Sequence, residues 1–167
     1  MPAADQGVDP SRYALIPRVL IFLTWGENVL LLKGAPGKRV WANLYNGIGG
    51  HIERGEDVLT AAQRELYEET GLSISDLWLC GVVTVDTGQN LGIGIFVLRG
   101  EVSQGDIVAS QEGVPEWIAK SRIGELPLVE DLYTLLPRIF AARREDPPFF
   151  AQYTYDLDDR LVIRLNE

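Results

Sequence analysis

Cysteine is all but missing from this chain: Cys80 is the single one among 167 residues. One thiol cannot form an internal disulfide, and in an apolar, strand-like run it reads as a small buried hydrophobe rather than a nucleophile. Histidine is equally scarce, with His51 alone, so no histidine or thiolate cluster is present to hold a soft metal. Basic residues are outnumbered, 15 Lys and Arg against 24 Asp and Glu, for a formal net charge of −9. That balance supplies no basic surface to neutralise a nucleic-acid backbone, so no nucleic-acid polymer is expected as a partner. No apolar run approaches the length of a membrane span, and residues 1–9 lack the apolar stretch of a secretory signal. A cytoplasmic protein with no membrane partner is expected.

What is present is enough apolar sequence, 46%, for one real core, and too short a chain for two sizeable domains. Residues 1–12 read as a flexible tail and 13–167 as a single domain. Strands are expected over residues 13–23, 29–33, 41–46, 77–84, 91–99 and 116–118, with loops at 34–39 and 100–113. A helix is expected over 129–143, broken or bent at Pro137, and the alternation over 149–165 predicts a closing β-hairpin. The order implies an α/β (α+β) fold, a mixed β-sheet sandwiched between helices.

The chemistry concentrates between residues 50 and 72, which read GHIERGEDVLTAAQRELYEETGL. Asp57 can cap a helix over residues 58–70 that Gly71 ends in a left-handed turn. Helical spacing sets Val58, Ala61, Ala62, Glu65 and Glu69 on one stripe with Leu66 and Glu68 at its edges, while Arg64, Tyr67 and Thr70 face away. Glu65 and Glu69 then lie on the face an amphipathic helix buries. Clustered carboxylates in such a place lose several kcal/mol of solvation each unless protonated, paired or bound to a cation. A hard divalent ion resolves the conflict, Mg²⁺ first and Mn²⁺ as a substitute, because the available donors are oxygens. Arg64, four residues before Glu68, can orient a neighbouring carboxylate.

The same segment resembles a Nudix box. Gly50, Glu56, Arg64, Glu65, Leu66, Glu68, Glu69, Gly71 and Leu72 match it without substitution. Its fixed positions are common residue types, and a chance match is on the order of 10⁻⁸ per starting position. The resemblance implies the Nudix fold and a hydrolase acting on a nucleoside diphosphate linked to another moiety. It gives Glu65, Glu68 and Glu69 metal and catalytic roles, with the carbonyl of Gly49 or Gly50 as a further ligand. Glu56 and Arg64 would chiefly hold the loop and helix, with Gly50 and Gly71 as structural positions of the box. Glu112 resembles the extra carboxylate that completes the metal site or serves as base in several members of the family.

Beyond the box, residues 13–167 resemble the MutT-type branch, which removes pyrophosphate from oxidised purine nucleoside triphosphates such as 8-oxo-dGTP. Asn46 matches the amide that reads the purine, and Glu130-Asp131 resembles the acidic pair that faces the base edge. Those two acids also stand where helix N-terminal carboxylates complement the macrodipole. Lys33 and Lys38 either meet phosphate charge or are solvated lysines beside a loop. Gly47, Gly49 and Gly50 serve either as turn residues or as backbone open to close approach by phosphate or ion. His51 stands where the branch has a lysine, and Leu128 or Val129 where it has an aromatic. Relatives acting on ADP-ribose or dinucleoside polyphosphates carry a proline or tyrosine beyond the box, and residues 85–91 have neither. A nucleotide-binding module without catalysis would have lost carboxylates, and none is lost here. The partner expected is a small nucleotide, for a monomer or a homodimer.

Overall fold

The computed structural model describes residues 1–103 and 106–166; Gln104 and Gly105 of the expected 100–113 loop, and Glu167, lie outside the described residues. A short 3-10 turn, Ala3–Gln6, precedes the first strand. Strand β1 (Ala14–Trp25) turns through Gly26, at φ +55°, into β2 (Asn28–Gly34). Strands β3 (Tyr45–Asn46) and β4 (Ile48–His51) follow, then helix α1 (Val58–Thr70). Strands β5 (Leu77–Val85), β6 (Leu91–Glu101) and β7 (Gly113–Ala119) lead to helix α2 (Leu132–Ala141) and the closing hairpin of β8 (Phe149–Tyr155) and β9 (Leu161–Asn166).

Among the described residues, all nine strands belong to one mixed sheet, ordered β3-β2-β1-β6-β5-β8-β9, with β4 pairing β1 and β7 pairing β2. Its spine is the parallel pair β1 and β6, in register from Ala14↔Leu91 to Thr24↔Glu101. Consecutive residues 19–23 of β1 are all buried, because the sheet is covered on both faces. Val19, Ile21 and Leu23 point to the α1 side and pack with Leu30, Ile48, Leu66 and Leu98. Leu20 and Phe22 point to the α2 side and pack with Leu31, Val97, Leu132, Leu135 and Ile139. The expected mixed sheet between helices, closed by a C-terminal hairpin, is what forms.

Three expectations need correction. The strand expected over residues 41–46 shrinks to Tyr45–Asn46, because Trp41 and Asn43 both adopt φ +62° and the chain curls back on Gly34. Asn43 N–H donates to the Gly34 carbonyl at 3.0 Å, and a Cβ on Gly34 would stand 2.5 Å from the Trp41 carbonyl oxygen. The helix expected from residue 129 begins only at Leu132, since the preceding residues are spent on strand-like pairing: Tyr45 N–H donates to Pro127 O and Val129 N–H to Tyr45 O. It runs through Pro137 unbroken and ends at Ala141, where Arg99 Nη1 donates to the carbonyls of Ile139, Phe140 and Ala142. The strand expected at 116–118 is longer, running antiparallel to β2 over its full Gly113–Ala119 length. Among the described residues, no helix is long and apolar enough to cross a membrane.

Helix α1 forms where its caps require it. Asp57 Oδ1 accepts from Leu59 N–H at 2.8 Å and Thr60 N–H at 3.0 Å, and Gly71, at φ +76°, donates its N–H to Tyr67 O at 2.8 Å. Asp57→Ala therefore loses about 1 kcal/mol of unfolding free energy, while Asp57→Asn keeps the acceptor and most of the stability. Urea denaturation of both variants measures the difference.

Candidate active site

Strand β4 lays its glycines directly against α1. Gly50 leaves its α1-facing side open to the Glu65 carboxylate, which a Cβ there would strike. One residue earlier, Gly49 donates its backbone N–H to Glu69 Oε2 at 3.0 Å. Glu69 is only 5% exposed. Burial pushes its pKa up to about 7; the Gly49 N–H and the Lys38 charge oppose that rise, and the Glu65 and Glu112 charges add to it.

Arg64 organises the remaining carboxylates. Its Nε and Nη2 donate to the two oxygens of Glu56 at 2.6 and 2.9 Å, and Nη2 also reaches the His51 carbonyl at 3.0 Å. Its Nη1 bridges Glu65 Oε1 at 2.8 Å and Glu68 Oε2 at 3.2 Å. The two-pronged pairing pulls Glu56 down to about 2, helped by the Glu53 N–H, and raises Arg64 in turn. The helix face therefore differs from its expected stripe. Leu66 is at the centre of the buried face, and Thr70 is buried too, its hydroxyl donating to Leu66 O at 2.6 Å. Arg64 does not face away but folds across the acidic side, and Glu68 is exposed.

Glu112 enters from the loop before β7 and pairs with Lys38, Nζ to Oε2 at 2.6 Å. As the side chains are placed, no three carboxylate, imidazole or thiol groups among the described residues converge into a ready-made cage for an ion. Arg64 lies between Glu65 and Glu68, and Lys38 holds Glu112. The donor set nonetheless fits a hard divalent cation. Every available ligand is an oxygen, the glycine backbone permits close approach, and the Glu69 carboxylate is buried with the Gly49 N–H as its one hydrogen-bond donor among the described residues.

The other predicted residues divide between the faces: Lys33 and its partner Tyr45 lie on the α2 side, where Asp131 also sits, whereas Asn46, opposite Leu32, lies on the α1 side. Asn46 Oδ1 accepts from Gly47 N–H at 2.8 Å, which leaves the amide NH₂ for a ligand. Lys33 extends over the Tyr45 ring, 5.7 Å from its centroid, and the Tyr45 hydroxyl donates to Glu116 at 3.0 Å. Glu130 and Asp131 have different surroundings: Glu130 is exposed, while Asp131 turns inward and accepts from the Tyr153 hydroxyl at 3.1 Å. Asp131 makes no capping hydrogen bond to α2. Burial raises its pKa against the Tyr153 hydrogen bond, and the nearby Tyr153 phenol is raised as well. Sequence alone reads Tyr153 only as part of the closing hairpin, and its place in the inward set Phe149, Ala151 and Tyr153 of β8 is the signal for a buried partner. Trp117 packs edge-on to Trp25 at 5.9 Å, and Cys80 is buried with its thiol pushed up to about 12.

Glycine-backed carboxylates on α1, held by one arginine against strand β4, define a class of acidic loop-helix site whose donors are all oxygens. The NUDIX domain model matches residues 14–138, and the chain belongs to that family. It is 30% identical over 94 residues to an oxidized purine nucleoside triphosphate hydrolase of Danio rerio, covering 56% of this chain and 60% of that protein. It is 26% identical over 132 residues to an NAD-capped RNA hydrolase NudC of Pseudomonas aeruginosa, covering 78% of this chain and 45% of that one. The chain thus spans about half the length of these relatives. A MutT protein of Bacillus halodurans shares the fold at a TM-score of 0.76 with 24% identity, over 91% of this chain and 98% of that one.

The position of Glu69 generates a pH prediction for metal-free protein. Its pKa rises on folding from 4.5 to about 7, so the native state binds the extra proton between those values. Stability from this group is full below about pH 4.5 and is lost as pH rises through 7, by up to ~3 kcal/mol. Glu69→Gln removes that loss. In chelator, the variant is more stable than the parent at pH 8 and gains less at pH 5, as measured by urea denaturation at both pH values.

Proposed function

We propose that this protein is a Mg²⁺-dependent pyrophosphohydrolase, with Mn²⁺ as a substitute, that cleaves an oxidised purine nucleoside triphosphate to monophosphate and pyrophosphate. The observation that carries this reading is Glu69, a carboxylate buried against glycine backbone beside Glu65, which a divalent cation would relieve. Glu65, Glu68, Glu69 and the Gly49 carbonyl would hold that cation, and Glu112 would join them. When bound, the cation supplies charge stabilisation on the phosphate chain and an activated water.

The chain's own residues do the rest. Arg64 fixes Glu65 and Glu68 in rotation while staying anchored on Glu56, so these carboxylates are positioned before substrate arrives. On the opposite face, burial raises the pKa of Asp131 against the Tyr153 hydrogen bond. A protonated Asp131 donates to a purine keto oxygen and accepts from a ring N–H. The Asn46 amide NH₂ remains open to the nucleotide on the α1 side of β3, and Lys33 lies on the other side of the sheet with Tyr45. The likeness to the oxidized purine nucleoside triphosphate hydrolase supports that choice of base.

Glu68 is exposed, so Glu68→Gln keeps the fold while turnover falls by about 10³-fold, as expected for loss of a transition-state contact. Circular dichroism and steady-state kinetics on 8-oxo-dGTP, dGTP, ADP-ribose and dinucleoside polyphosphates test this with and without Mg²⁺. Retained turnover in the variant sinks the assignment, and faster turnover of ADP-ribose than of any triphosphate replaces the substrate. Asp131→Ala lowers kcat/KM for 8-oxo-dGTP by about 10² to 10³-fold, and Asp131→Asn, which keeps a donor and an acceptor, loses less.

A further inference from the structure

The loop between β2 and β3 carries a cation that the roles above leave unused. Its frame is set by backbone: Gly34 N–H donates to Leu44 O at 3.0 Å, Lys38 N–H to Ala35 O at 3.1 Å, and Leu44 N–H to Trp41 O at 3.1 Å. Trp41 and Asn43 both adopt φ +62°, a conformation non-glycine residues keep only where the surroundings fix it. Ala35 N–H donates to the Glu112 carbonyl at 3.1 Å, stitching this loop to the one that carries Glu112. From that preformed frame, Lys38 Nζ reaches Glu112 Oε2 at 2.6 Å.

The pair is poor as a stabilising device. Glu112 is 57% exposed and Lys38 32%, and an ion pair in such surroundings contributes about 0–1 kcal/mol. Its position is what distinguishes it, because the loop that carries Glu112 is tied to the end of α1 beside Glu69, Val108 N–H donating to Thr70 O at 2.9 Å. The two cations of the site also differ in freedom. Arg64 is tied to Glu56, Glu65, Glu68 and the His51 carbonyl, whereas Glu112 is the one ion-pair partner of Lys38 among the described residues. A lysine on a flexible four-carbon stem can change partner without moving backbone.

We propose that Lys38 is a phosphate-positioning residue that exchanges partners, resting on Glu112 in the free protein and turning to the polyphosphate once a divalent cation claims the Glu112 carboxylate. This rests on the pyrophosphohydrolase reading above. Cation and ammonium compete for one carboxylate, and the incoming phosphate chain gives the displaced ammonium a stronger, multiply charged partner. Lys38 therefore weakens binding of the cation alone and strengthens binding of polyphosphate with the cation present, so that the two ligands bind cooperatively.

The test uses the full chain with Lys38→Met and Lys38→Arg, Mn²⁺ as the cation probe and inorganic tripolyphosphate as the phosphate probe. Mn²⁺ binding to nucleotide-free protein is measured by electron paramagnetic resonance, and tripolyphosphate binding in saturating Mn²⁺ by calorimetry. Lys38→Met binds Mn²⁺ alone about threefold to tenfold more tightly and tripolyphosphate about tenfold more weakly, as loss of one charge-assisted hydrogen bond predicts, with KM for the nucleotide rising more than kcat falls. Lys38→Arg restores tripolyphosphate affinity, and in a Glu112→Gln background Lys38→Met changes Mn²⁺ affinity by less than in the parent, since only charge repulsion without competition for Glu112 remains. Unchanged affinity for both probes, or weaker Mn²⁺ binding in Lys38→Met, overturns the exchange while leaving the functional reading intact. If the parent protein binds neither probe, the pyrophosphohydrolase reading falls and this proposal with it.

Discussion

A carboxylate buried at the junction of a helix and a glycine strand is the constraint around which this molecule is arranged. Glu69 sits where hydrophobic packing holds α1 against the sheet, in a helix whose inward residues otherwise are Ala61, Ala62, Leu66 and Thr70. Apolar burial of those neighbours fixes the position of the carboxylate whether or not its charge is satisfied, since Leu66, Ile48 and Val19 pack the same interface. Stability and chemistry therefore oppose one another at one residue. The core places the acid in a medium that disfavours its charge, and a cation drawn to that charge would gain the energy the fold has stored there.

The glycines of β4 make the conflict tolerable, and each acts on a different side. Gly50, opposite Val19, gives up its side chain to the Glu65 carboxylate, and Gly49, opposite Leu20, presses its backbone against β1 while its N–H serves Glu69. A side chain on Gly50 would push the Glu65 carboxylate and α1 away from the sheet, and one on Gly49 would strike the Val19 carbonyl and disrupt the pairing of β4 with β1. The strand is short because its work is local. Four residues suffice to bring backbone donors to the helix and then turn the chain outward through Glu53 and Glu56 into the Asp57 cap.

What the sequence made legible follows the range of the forces involved. Helix α1 was readable to the residue because its determinants are local: a capping aspartate, a 3.6-residue repeat and a terminal glycine. The long strands were readable to within a few residues for the same reason. Residues 41–46 were not, since two non-glycine residues there take left-handed angles that only tertiary contacts enforce. The split of Glu130 from Asp131 depends on Tyr153, 22 positions away, and the Lys38–Glu112 pair on loops 74 positions apart. Adjacent like charges suggested a pair, and packing separated them.

The direction in which Arg64 folds illustrates how a local rule yields to a stronger one. Helical spacing sends its Cα away from the acidic stripe, yet the guanidinium returns over it because Glu56, fixed by the Glu53 N–H, offers both oxygens to a planar fork. That anchoring leaves only Nη1 for Glu65 and Glu68, so the arginine steers those carboxylates without enclosing them. A lysine in its place could not hold Glu56 with two prongs and reach two further acids at once. The geometry thus separates an arginine tied to four partners on and beside α1 from Lys38, whose one ion pair among the described residues joins two loops and does not touch the helix.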